Sequence, residues 1–219
     1  MKNLALYAVT ALCVLNAPAG ATLNYEYRPG EYALIEGGMA PDQSYAIAAH
    51  GSGSLGDEDF HIYLMAEPEH RKIGVLEEIK DILDTGPGAY RAVWSPGSRF
   101  VAISYRSERH VVIFNLYRIG AKRAYPIAGP PLTAKAGIGG DDINEIRDVS
   151  TVSWKDADHF HLIEDGTFRA TASTAAKLGP VVKTIERVEG SKDDVLGTYR
   201  LEADCEIVGD RYKIVRFEP

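Results

Sequence analysis

Three stretches of this sequence set a large residue and an aromatic six positions apart around a tight turn, and this spacing limits the possible folds more than any other feature. The clearest is Trp94-Ser95-Pro96-Gly97-Ser98-Arg99-Phe100-Val101-Ala102-Ile103, where a turn of helix-breaking residues leads into an apolar run. Met39-Ala40-Pro41-Asp42-Gln43-Ser44-Tyr45-Ala46-Ile47 keeps the proline and the aromatic at the same offsets. Trp154-Lys155-Asp156-Ala157-Asp158-His159-Phe160-His161-Leu162 keeps the Trp and the Phe. The anchors at 39, 94 and 154 lie 55 and 60 residues apart, a period suited to a unit of three or four short strands.

Each unit reads as a meander: a strand ends at the large residue, a turn follows, and a second strand opens on the aromatic. The runs around 45–48, 61–65, 100–105 and 111–116 are short and mostly rich in β-branched or aromatic residues, bounded by glycine- and proline-rich turns. His61-Ile62-Tyr63-Leu64 resembles His110-Val111-Val112-Ile113 once the first unit is given a loop six residues longer. Residues 74–84 place Val75, Leu76, Ile79, Ile82 and Leu83 at near-helical spacing, so a short helix competes with a strand there. Single sheets cannot bury both faces, and radial stacking of such units is the logic of a β-propeller. The predicted fold is all-β: a small or incomplete β-propeller-like array of three to five antiparallel meanders, with a β-sandwich or barrel as the alternative.

The segment Trp94-Ser95-Pro96-Gly97-Ser98-Arg99-Phe100-Val101-Ala102 resembles the W-S-P-D-G-x-x-hydrophobic-A signature of TolB-like and WD40-like bacterial propeller repeats, with Gly97-Ser98 in place of the usual Asp-Gly. The resemblance spans roughly residues 39–170 and implies a fold; it implies little about activity, since propellers carry binding modules, scaffolds and enzymes alike. The three units, together with a C-terminal strand pair over 198–217, give fewer blades than the six or seven usual in those families. A small closed ring, an incomplete one or an oligomer that completes it would each fit.

The N-terminus sets the compartment. Lys2 is the only charge among the first 25 residues; it precedes an apolar run over residues 4–15, then Pro18 and Ala19-Gly20-Ala21. This is the pattern of a signal peptide with a small-x-small cleavage site, and its apolar core is too short to span a bilayer as a helix. The expected organisation is a signal peptide over 1–21 and a single β-repeat domain over 22–219, periplasmic or secreted, with no membrane span after cleavage. Cleavage after Ala21 removes Lys2 and Cys13, leaving 198 residues, 23 basic against 31 acidic residues, a net charge of −8 and a lone Cys205. An acid excess of this size argues against non-specific binding to nucleic acid or an anionic membrane, where a basic face supplies most of the affinity. Asp204 and Glu206 beside Cys205 disfavour its thiolate, so it reads as an inert, half-buried thiol.

Candidate chemistry is sparse, and no cofactor is expected. His159 and His161 lie two apart on a strand and so face the same way, as a metal site requires, with Asp156 and Asp158 nearby as oxygen donors. Asp57 and Asp59 lie in a Gly/Ser-rich loop with His50 upstream, and Asp141 and Asp142 follow a glycine-rich connection; either loop offers oxygen ligands to a hard cation such as calcium. Neither has EF-hand spacing, and solvated acidic loops share the same composition. Arg99, Arg106, Arg109 and His110 beside Tyr105 read most simply as a charged turn between two apolar strands. The chain contains no G-x-S-x-G, P-loop or H-E-x-x-H motif. The expectation is a non-catalytic exported β-protein that binds a partner protein or cell-envelope component through its loops; the alternative is a small exported hydrolase or glycan-binding protein using the acidic loops.

Overall fold

The computed structural model describes residues 23–51, 59–80, 82–138 and 143–219. Among them run thirteen strands: β1 (Ala33–Met39), β2 (Tyr45–His50), β3 (His61–Ala66), β4 (Arg71–Val75), β5 (Arg91–Trp94), β6 (Phe100–Glu108), β7 (Val111–Gly120), β8 (Arg123–Ile127), β9 (Ile143–Trp154), β10 (His159–Thr171), β11 (Val182–Arg187), β12 (Asp194–Val208) and β13 (Arg211–Glu218). Two short helices interrupt them, α1 (Leu132–Ala136) before β9 and α2 (Ala172–Leu178) after β10. The protein is all-β, built on one mixed sheet that does not close.

Within that sheet the chain meanders. β1 to β4 pair antiparallel in sequence order, and so do β5 to β8. In the C-terminal half β12 pairs along its length with β10, which also pairs with β9. The opposite edge of β12 is shared between β11 and β13. Short parallel contacts join the parts, Glu36 to Arg91 between β1 and β5, and Val111 and Val112 to Asp148 and Val149 between β7 and β9.

The strand ends fall at the spaced residues. β1, β5 and β9 end at Met39, Trp94 and Trp154, while β2 and β6 open on Tyr45 and Phe100 and β10 opens one residue before Phe160. The first two turns are bonded alike: Ala40 and Ser95 donate to the carbonyls of Tyr45 and Phe100, and Gln43 and Ser98 donate back to those of Ala40 and Ser95. Gln43 and Ser98 carry φ of 58° and 56°, the left-handed region that non-glycine residues rarely adopt. Position 98, where the resembled signature has glycine, thus bears the strained conformation. The buried Ser98 hydroxyl accepts a bond from Asp42 N and so ties one turn to the other.

β6 shows why its sequence is a continuous apolar run. Phe100 and Ala102 on one face join a cluster with Leu116, Phe160, Leu162, Phe168, Leu201 and Tyr212. Val101, Ile103 and Tyr105 on the other join Ile35, Ile47, Leu64, Tyr90 and Tyr117. A strand with core on both faces has no polar side to alternate with. β12, in contrast, alternates buried and part-exposed residues along nearly its whole length, with one face on the core and one in water. Gly166 and Gly197, on β10 and β12, each lie under an aromatic ring from the facing strand. A Cβ on Gly166 would fall 2.1 Å from Tyr199 Cζ, and one on Gly197 2.4 Å from Phe168 Cζ.

Residues 76–80 and 82–84 form neither helix nor strand; the apolar spacing there serves a loop. Leu76 is buried, and Ile79 and Ile82 pack on the cluster around Tyr90. The C-terminal strand pair reads through to Asp194 at one end and Glu218 at the other. Among the described residues no helix is long and apolar enough to cross a membrane.

Candidate functional site

His159 and His161 do face the same side of β10, alternating with the buried Phe160 and Leu162, but they keep separate company. Asp156, Asp158 and His159 bring their side-chain donor atoms within 4.8 Å of one another, and His161 is not part of that group. Instead His161 lies between two acids of β12, with Nδ1 2.9 Å from Asp204 Oδ1 and Nε2 3.2 Å from Glu202 Oε2. Asp204 also holds Lys155, and Glu202 holds Arg200, which reaches on to Asp165. The exposed face of β10 and β12 is therefore a ladder of alternating charge; such surface pairs each add about 0–1 kcal/mol.

The cluster has a structural occupation. Asp156 Oδ1 accepts bonds from Asp158 N, His159 N and His159 Nδ1, closing the turn between β9 and β10. The bond from His159 is the main reason the Asp156 carboxyl is held down at about 2, and the same bond chiefly raises His159 above the ordinary histidine value. A metal at this site must compete with those donors. The raised His159 stabilises the fold while it is protonated, and its contribution is lost as pH climbs through its raised pKa. The lowered Asp156 stabilises above the ordinary carboxylate pKa, and its contribution is lost as pH falls towards 2. Replacing Asp156 with Asn is expected to lower the His159 titration midpoint measured by NMR; an unchanged midpoint would show that this bond does not govern the imidazole.

Of the other predicted residues, Asp59 is exposed in the turn before β3, whereas Asp57, Asp141 and Asp142 lie outside the described residues. His50 takes no part in an acidic cluster among the described residues: its ring stacks on Tyr32 and its Nδ1 meets the carbonyl of Glu31. Arg106 pairs with the buried Asp84, and Arg109 and His110 form the turn between β6 and β7. Cys205 is fully buried, not half-buried. Burial first, then the charges of Asp204 and Glu164, pushes its thiol up to about 12, which removes it as a nucleophile. The buried Glu164 is committed as well, accepting the backbone N–H groups of Leu132 and Thr133 at the start of α1.

The arrangement with room for a ligand lies at one end of the sheet. Arg99, Phe100, Arg118, Asp158, Ile207, Gly209 and Asp210 line a cleft of about 470 Å³. Its walls come from the turn after β5, strand β7, the turn after β9 and the turn between β12 and β13. Arg99 lies over the Phe100 ring and Arg118 over Tyr125, and neither guanidinium forms an ion pair among the described residues. Asp158 belongs both to this cleft and to the Asp156–His159 cluster. Sequence reading found Arg99 and Asp158 but not Arg118 or Asp210, which only strand pairing brings alongside. Compared with known protein families, curated proteins and solved structures, the chain matches none.

Proposed function

We propose that this chain is an exported, non-catalytic β-protein of small propeller-like build that binds a partner protein or cell-envelope component through the turns at its cleft end. The observation that carries this reading is the cleft itself: two guanidiniums without an ion pair among the described residues, Arg99 on a turn and Arg118 on β7, line it together with Asp158 and Asp210. Guanidiniums held on aromatic rings present planar donors to carboxylate or phosphate groups, while the acids of the same cleft suit a partner of mixed charge. Export rests on the N-terminal pattern of Lys2, the apolar run and Ala19-Gly20-Ala21. The propeller-like build draws support from the indoles of Trp94 and Trp154. Each donates to a carbonyl of the preceding first strand, at Gly38 and Val93, as repeated neighbouring units would.

Capture from an envelope extract tests the binding surface. The wild-type protein is expected to retain a specific partner, and Arg99→Glu with Arg118→Glu is expected to lose it while melting at an unchanged temperature. Equal capture by the variant would remove this end as the recognition surface.

The position of Asp158 in both the cleft and the Asp156–His159 cluster favours one second reading, a cation-assisted glycan binder or hydrolase. That reading expects a rise of several degrees in melting temperature with calcium or zinc, reversed by EDTA. No shift with either metal would dismiss it.

A further inference from the structure

A second cleft, of about 240 Å³, lies on the outer face of the first meander, lined by Gly30, Tyr32, Leu34, Ala48, Met65, Glu67 and His70. Its walls are apolar and aromatic, and the Leu34 side chain is exposed there. Its one carboxylate is in an unusual state. The Glu67 side chain is only 4% exposed, and its Oε1 is shut away from water without a hydrogen bond among the described residues. His70 Nδ1 stands 2.9 Å from Oε1, an ion pair while the imidazole is protonated though without hydrogen-bond geometry, and that imidazole is 73% exposed. The basic residues at the start of β4 are turned to other uses or to solvent: Lys72 lies over the Tyr63 ring, and Arg71 forms no ion pair among the described residues.

A buried carboxylate oxygen without a donor is costly, and native proteins keep such groups where a partner completes them. The partner this cleft lacks is a permanent cation, since His70 is one only while protonated. Tyr32 offers a ring face of the kind that attracts ammonium and guanidinium groups, and Met65 and Leu34 offer a greasy wall for a short aliphatic stem. The volume lies below the range of pockets for drug-sized ligands and suits a single head group with its stem. We propose that this cleft is a binding site for an alkylammonium or guanidinium group, with the charge on Glu67 and the stem along Tyr32, Leu34 and Met65. The group comes either from a free small amine or from a lysine or arginine side chain of a partner. The site is separate from the Arg99–Arg118 cleft and does not depend on it.

Titration of the full chain with butylammonium, with ethylguanidinium and with short peptides bearing one lysine or arginine tests the proposal, followed by NMR of the Met65 methyl and the Tyr32 ring. Saturable shifts with at least one probe, and none with butanol, are expected. Glu67→Gln keeps the volume and is expected to weaken binding at least tenfold. His70→Ala, which removes the competing imidazole, is expected to retain or strengthen it. Saturation by the free amines points to a small-molecule ligand, and saturation by the peptides alone to a protein side chain; both support the site. No saturable shift with any probe overturns it, as does equal binding by a folded Glu67→Gln variant or loss of binding in His70→Ala.

Discussion

Replacing Asp84 with Ala is expected to cost about 3–5 kcal/mol in urea unfolding, the range for breaking a buried ion pair by removing one partner. The carboxylate side chain is 4% exposed and both of its oxygens are engaged. Arg106 donates from Nε to Oδ2 at 2.9 Å and from Nη2 to Oδ1 at 2.6 Å, and Leu23 N donates to Oδ1 at 2.8 Å. The residue's main chain is engaged too, its carbonyl accepting the Tyr90 hydroxyl within the apolar cluster around that ring. Removing Asp84 leaves a largely buried guanidinium without its counter-charge and detaches Leu23, which also accepts bonds from Thr85 N and Gly86 N. Asp84→Leu combined with Arg106→Met is expected to recover much of the loss, since an apolar pair of similar volume needs no compensating charge. A loss below about 1 kcal/mol for Asp84→Ala would show that water reaches the pair.

Replacing Trp154 with Ala is expected to cost about 3 kcal/mol, towards the lower end for a large aromatic because the ring is only partly buried. The indole lies 6.0 Å from the Phe100 ring and 5.6 Å from the Phe160 ring, measured between centroids, and Nε1 donates to Val93 O at 2.9 Å. Trp94→Ala removes the corresponding contact, Nε1 to Gly38 O at 3.2 Å, on the other side of β6. Trp154→Phe separates the two contributions: it keeps an aromatic ring and loses the indole bond, for about 1 kcal/mol. Near-neutral alanine variants at both positions would mean that the indoles do not hold neighbouring meanders together.

The residues that showed through in the sequence are those whose role is local. Met39, Trp94 and Trp154 end strands because proline, aspartate and serine directly after them turn the chain, and the aromatics six positions on start the return. Helix α1 was not legible, because its five residues have no side-chain cap of their own and its first N–H groups are met by Glu164 from 31 and 32 positions away. The loop after β4 has helical spacing, yet its apolar residues are drawn onto the Tyr90 cluster by a strand bond from Leu76 N to Ile62 O. At the candidate sites the same division holds. Asp156 and His159 are neighbours in sequence and were visible together, whereas Arg118 and Asp210 join Arg99 only through strand pairing. Glu67 gave no signal, because nothing local marks an acid that tertiary packing has buried.

The crossed glycines of β10 and β12 bear on how the two long strands find each other. Gly166 faces Tyr199 and Phe168 faces Gly197, so each strand supplies one bare site and one bulky ring at matching positions. Shifted by a residue, either ring would meet a side chain instead of a gap, and the apolar faces of both strands would turn to water. The four residues work as a two-toothed key that admits a single alignment, so substitution at one of them can be accommodated only by a matching change in its opposite number.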